Sequence, residues 1–166
     1  MKTTCFVILA FACVAAAAAE PQRPERIEYR GELLYMYATP LDSFFSAANP
    51  KPDEMLEARP SSCLRGYRGT WEIADGNLRL VSVRVFNVGA IIPLPLRMID
   101  PKWEAPVNAT WFTGPIRIGS GKKIRGWSSV GNPAEGGVVD LTAEIRNGRV
   151  VSVRETGTPK IPNKSE

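Results

Sequence analysis

Two hairpin turns with matching surroundings constrain this chain more than anything else in it. Thr70, Glu72, Ile73, Gly76 and Leu78 are echoed by Thr142, Glu144, Ile145, Gly148 and Val150, around the dipeptides Asp75-Gly76 and Asn147-Gly148. Asp-Gly and Asn-Gly are the strongest short-range hairpin signals. A type I′ turn needs positive φ at both central residues, and Gly, Asn and Asp reach that region at low cost. A chain that carries this signal twice folds through antiparallel hairpins. The echo loses register beyond its core, because Val81-Ser82-Val83-Arg84 aligns with Val151-Ser152-Val153-Arg154 only after a shift of two residues. That favours two hairpins obeying the same turn and alternation rules over a duplicated functional unit.

The rest of the chain reads in the same way. Ile27 to Ala38 is a strand or a hairpin around Gly31, with tyrosines alternating against Leu34, Met36 and Ala38. Leu41 to Ala48 follows Pro40 and carries Asp42 and Ser43 as caps, which predicts a short helix. Asn49 to Ser62, punctuated by prolines, predicts a surface excursion and a place for contacts. In Leu78 to Phe86 the buried parity switches near Leu80, so a bulge or bend is expected near Val81. Ala90 to Met98 is apolar, but Pro93 and Pro95 bar a central strand and leave an edge segment or a crossover loop. Val107 to Phe112, Ile116 to Ile118, Lys123 to Trp127 and Val138 to Val153 complete the strands, with a loop at Gly131 to Gly137. The expected fold is mainly β: a single antiparallel sheet domain built from hairpins, a partly closed barrel or a sandwich, with one short helix.

The amino terminus reads as an address. Lys2, the apolar Phe6 to Val14 and the small residues Ala15 to Ala19 have the layout of a secretory signal peptide cut near Ala19. A retained anchor and a lipid-modified Cys13 are the alternatives; Phe11 sits where lipid processing favours a small residue. The expected organisation is a signal peptide over residues 1–19, a flexible leader over 20–26, one β-rich domain over 27–156 and a disordered polar tail over 157–166. No second apolar run of membrane length follows, so the expected product is a secreted or periplasmic domain with no membrane span after cleavage. A net charge of +4 is too mild to predict a nucleic-acid partner.

Inventory removes most catalytic apparatus. The chain has no histidine, hence no Ser-His-Asp triad and no histidine zinc site. After cleavage only Cys63 remains, read as a small buried hydrophobe, with an intermolecular bridge or a reactive thiol as alternatives. Gly119-Ser120-Gly121-Lys122-Lys123 fails the phosphate-loop spacing and reads as a basic turn. No cofactor and no metal are expected. Glu72 and Glu144 occupy equivalent echo positions and suggest a carboxylate-dependent hydrolase of cell-wall or extracellular sugars. Their apolar neighbours instead favour solvent-facing pairs with Arg79 or Arg149. Tryptophans and nearby arginines can form a stacking platform for a sugar or peptide. Arg65, Tyr67, Arg68, Trp71, Trp111 and Trp127 are therefore the residues expected to carry contacts. No catalytic residue is assigned. Together these features predict a non-enzymatic binding or envelope-associated module with an envelope or extracellular ligand.

Arg65 to Leu80 resembles a family of uncharacterised bacterial proteins with an Arg-Gly-Tyr-x-x-Thr-Trp-Glu-Ile-x-Asp-Gly-x-Leu core. Trp111-Phe112-Thr113-Gly114 is similar to a Trp-Phe-Ser-Gly element of that family, so the resemblance covers about half of the mature chain. It implies no activity and no catalytic residue. Members of the family commonly lack a leader, and this chain departs from them there.

Overall fold

The computed structural model describes residues 22–87, 89–119 and 141–155. The expected signal peptide and tail, the Gly131 to Gly137 loop and the expected strand ending at Trp127 lie outside the described residues. Among the described residues nine strands follow in order: β1 (Glu25–Tyr29), β2 (Glu32–Met36), β3 (Tyr67–Ala74), β4 (Asn77–Asn87), β5 (Ala90–Leu94), β6 (Val107–Asn108), β7 (Gly114–Gly119), β8 (Leu141–Arg146) and β9 (Arg149–Glu155). Seven form a ring in the order β3-β1-β2-β7-β8-β9-β4, closed by the β3–β4 hairpin. The mainly β fold is thus a barrel, with β5 and β6 added along the second edge of β4.

Positive φ at paired residues makes the tight turns. Asp75 and Gly76 have φ of 51° and 70°, and Asn147 and Gly148 have 49° and 77°, as the dipeptides predict. Arg30 and Gly31 repeat the geometry at 53° and 79°, which resolves the first strand reading into a hairpin. The two echo turns also meet. Leu78 N donates to Gly148 O at 2.8 Å and Val150 N donates to Gly76 O at 2.9 Å, flanking the Asn77–Arg149 pair. This reciprocal exchange is the whole of the β4–β9 ladder, so the barrel closes turn against turn.

Alternation sets the interior. Tyr67, Gly69 and Trp71 point inward from β3 between Arg68, Thr70 and Glu72, and Glu25 and Ile27 point inward from β1. On β4, Leu78 and Leu80 are buried, then Val83 and Val85. Val81 is the extra residue that changes the parity, because Thr70 pairs with Ser82 while Trp71 pairs with Leu80. The expected bulge is there. β9 carries a second one at Val151, between the pairs Glu144–Ser152 and Ile145–Val150. Pro93 lies on β5, which among the described residues pairs with β4 alone, as an edge position requires.

Three expectations are corrected. The short helix at Leu41 to Ala48 is a 3-10 turn at Pro40–Phe44, since Phe45 turns to extended backbone after one turn. The sheet is antiparallel except for β1 and β3, which run parallel because residues 37–66 cross one barrel end before β3 begins. The leader is tied down from Gln22 onward: Arg23 N donates to Ser62 O at 2.7 Å, Leu64 N to Gln22 Oε1 at 2.8 Å, and β1 starts at Glu25.

Candidate functional site

The end of the barrel crossed by residues 37–66 holds a carboxylate in its interior. Glu25 follows the docked segment 22–24 and, in phase with Ile27, is turned inward with 0% of its surface exposed. Gly69, facing it on β3, makes the space. A Cβ there would overlap Glu25 Oε2 and stand 2.6 Å from Trp71 Nε1. Gly69 N donates to Oε2 at 2.6 Å and Trp71 Nε1 donates to the same oxygen at 3.0 Å.

Arg65 supplies the counter-charge. The 3-10 turn Ser61–Cys63 and Gly66, at φ +81° and packed against Met55 O, fold this segment back toward β1. Arg65 Nε stands 2.8 Å from Glu25 Oε1, with the arginine side chain only 10% exposed. Its N–H is not aimed along a hydrogen-bond direction, so Oε1 and Nε form an ion pair with no aligned hydrogen bond at either atom. Arg65 Nη2 donates to Arg23 O at 2.7 Å, which locks the guanidinium to the docked leader. Burial pushes the Glu25 carboxyl up to about 7, against the opposing pull of Arg65 and of the Trp71 and Gly69 donors.

Tyr67 lies beside this pair, fully buried, with two cations near its ring: Lys51 Nζ at 5.2 Å and the Arg65 guanidinium carbon at 5.5 Å from the centroid. Its hydroxyl has no aligned partner among the described residues. Burial, then the charges of Glu25 and Asp42, hold the phenol far above its ordinary range. Lys51 also pairs with Asp42 at 2.7 Å. A cleft of about 310 Å³ opens here, with Gln22, Arg23, Thr39, Asp42 and Arg65 on its walls and Glu25 at its floor.

Three of the six expected contact residues converge on Glu25: Arg65, Tyr67 and Trp71. Of these only Arg65 reaches the cleft wall, because Tyr67 and Trp71 are wholly interior. Arg68 points outward from β3 and donates from Nε to Pro24 O at 3.1 Å; burial, then Arg26, lowers its pKa. Trp111 belongs to an aromatic cluster with Trp103 and Phe44, which Phe45 connects to Tyr67. Trp127 lies outside the described residues. The excursion expected over Asn49 to Ser62 is a cap on the barrel end, with Met55 fully buried.

The two echo glutamates are not brought together. Glu72 pairs outward with Arg79 at 3.5 Å, while Glu144 on β8 faces Ser152, with β9 and β4 between the two glutamate-bearing strands. Arg149, the other suggested partner, lies opposite Arg146. Cys63 is buried, and its thiol is raised chiefly by that burial. Sequence reasoning missed Glu25, Gly69 and Asp42. Glu25 repeats the inward phase of Ile27, and Gly69 leaves a gap in the inward series Tyr67, Gly69, Trp71; those were the available signals. Comparison with protein-family models, with curated proteins and with solved structures finds no match.

Proposed function

We propose that the protein is an exported, non-enzymatic binding module whose ligand enters the cleft above the Glu25–Arg65 pair. One observation carries the reading: a charge pair is buried, without aligned hydrogen bonds between its members, at the floor of an open cleft. Burying two charges costs several kcal/mol per ion, and such pairs are weak contributors to stability. A group held at that cost in a concave site has the physical character of a functional residue. Arg65 and Asp42 on the walls present a fixed donor array and an acceptor to a small polar ligand. The export signal read in the sequence points to a ligand in the envelope or outside the cell. Among the described residues no helix is long and apolar enough to cross a membrane.

Calorimetric titration with peptidoglycan fragments, oligosaccharides and periplasmic extracts tests this reading. The expected result is saturable binding that Thr39→Trp abolishes, since Thr39 is exposed at the cleft wall and a bulky ring there fills the entrance. Silence across all three, or binding untouched by the substitution, contradicts it.

A further inference from the structure

A second cleft lies away from Glu25, beside the 3-10 turn Leu96–Met98 that follows β5. It encloses about 300 Å³, and Arg97, Pro101, Trp103 and Glu104 stand on its walls. Trp103 is half-buried and rigidly backed. Its ring stacks on Trp111 at 4.8 Å with 16° between the planes, and Phe44 lies 4.5 Å from Trp103 and 5.1 Å from Trp111. Those three distances form a near-equilateral triangle, so Phe44 sits at the side of the stack and the second face of Trp103 is uncovered by either ring. Trp111 is itself fixed, because its Nε1 donates to Pro40 O at 3.0 Å. Trp71 Nε1 also has an acceptor, whereas the indole N–H of Trp103 has none among the described residues.

We propose that this cleft is a carbohydrate subsite, in which an uncharged sugar ring packs on the part of the Trp103 indole that lines the cleft while Arg97 and Glu104 hold its hydroxyls. Stacking on an aromatic face suits the apolar side of a pyranose, and a rigid ring loses little entropy when the ligand arrives. The two charged walls carry opposite signs and are both exposed. A hydroxyl donates to Glu104 and accepts from Arg97, so it satisfies both; a charged ligand satisfies one and is repelled by the other. A proline-rich peptide would also stack on an indole. Pro95 and Pro101 line this cleft, however, and offer no backbone N–H to a peptide carbonyl.

The test is a proton–nitrogen NMR titration of the full protein with cellobiose, maltose and N,N′-diacetylchitobiose, beside glucose 6-phosphate and a decaproline peptide. At least one neutral disaccharide is expected to shift the Trp103 indole resonance saturably at millimolar concentration. Glu104→Ala and Arg97→Ala, both surface changes, are each expected to weaken that binding at least tenfold. Trp103→Phe should reduce it while retaining the fold, as read by the Trp71 indole signal. No shift with any neutral sugar, a stronger response to the phosphate ester, or binding of decaproline alone overturns the inference.

Discussion

A carboxylate turned into a barrel loses its hydration and needs donors in return. Glu25 has two aligned ones on Oε2, from Gly69 and Trp71, and an off-axis guanidinium on Oε1. That leaves the charged form short of full compensation, and the carboxyl is pushed from 4.5 up to about 7. Between those values the folded protein retains a proton that the unfolded chain has released, so stability falls as pH rises through this window. The loss is complete above pH 7 and amounts to about 3 kcal/mol for such a shift. Urea unfolding of the full chain between pH 5 and pH 8 should show that decline. It should disappear in Glu25→Gln/Arg65→Met, which removes both charges while the introduced amide oxygen still accepts from Gly69 and Trp71. A slope shared by both proteins would assign it to other groups. The residue scale was the least legible in the sequence. Glu25 stands in a polar, proline-bearing stretch that reads as a leader. Only the contacts of Arg23 and Gln22 with residues 61–64, far along the chain, turn it into the start of a strand.

The hairpins were legible because their causes are local. Turn dipeptides state positive φ directly, and the parity change in β4 states its bulge. The structure also explains the two-residue offset between the echoes. Each Val-Ser-Val-Arg run begins at a bulged valine, Val81 or Val151, and the second bulge stands two residues nearer its turn. The echo therefore holds from turn to bulge and then resumes out of step. Its two turns differ in surroundings. A Cβ at Gly76 would meet open space, whereas one at Gly148 would stand 2.7 Å from the carbonyl of Ala109. Both have positive φ, so alanine costs about 1 kcal/mol at either from backbone strain. Gly148→Ala adds the clash and should destabilise by at least twice as much as Gly76→Ala, measured by equilibrium denaturation. Equal losses would mean that the contact with Ala109 is not maintained. The short helix and the wholly antiparallel sheet were misread for the opposite reason: both depend on how residues 37–66 pack across the barrel end. Leu41 and Met55 are drawn into the core there, ending each helical turn early.

At the scale of the molecule, the paired turns acquire a role that no local rule states. They are the seam of the barrel, where Leu78 and Val150 each donate to the glycine of the opposite turn. The described barrel has its seam at these turns and its polar floor at Glu25, so the scaffold and the cleft are separate parts of one wall. Trp71, by contrast, serves both, filling the core and holding the carboxylate. On the proposed reading, the Glu25–Arg65 pair is kept for binding and adds little to the fold. Replacing a buried ion pair by neutral groups of similar volume is commonly neutral or stabilising by about 1–4 kcal/mol. The most direct test is the unfolding free energy of Glu25→Gln/Arg65→Met at pH 8, measured in urea beside the unaltered protein. A value equal to or above that of the unaltered protein is the predicted result. A loss of more than about 3 kcal/mol, the scale of breaking a needed buried pair, would show that the pair holds the barrel together and would contradict that reading.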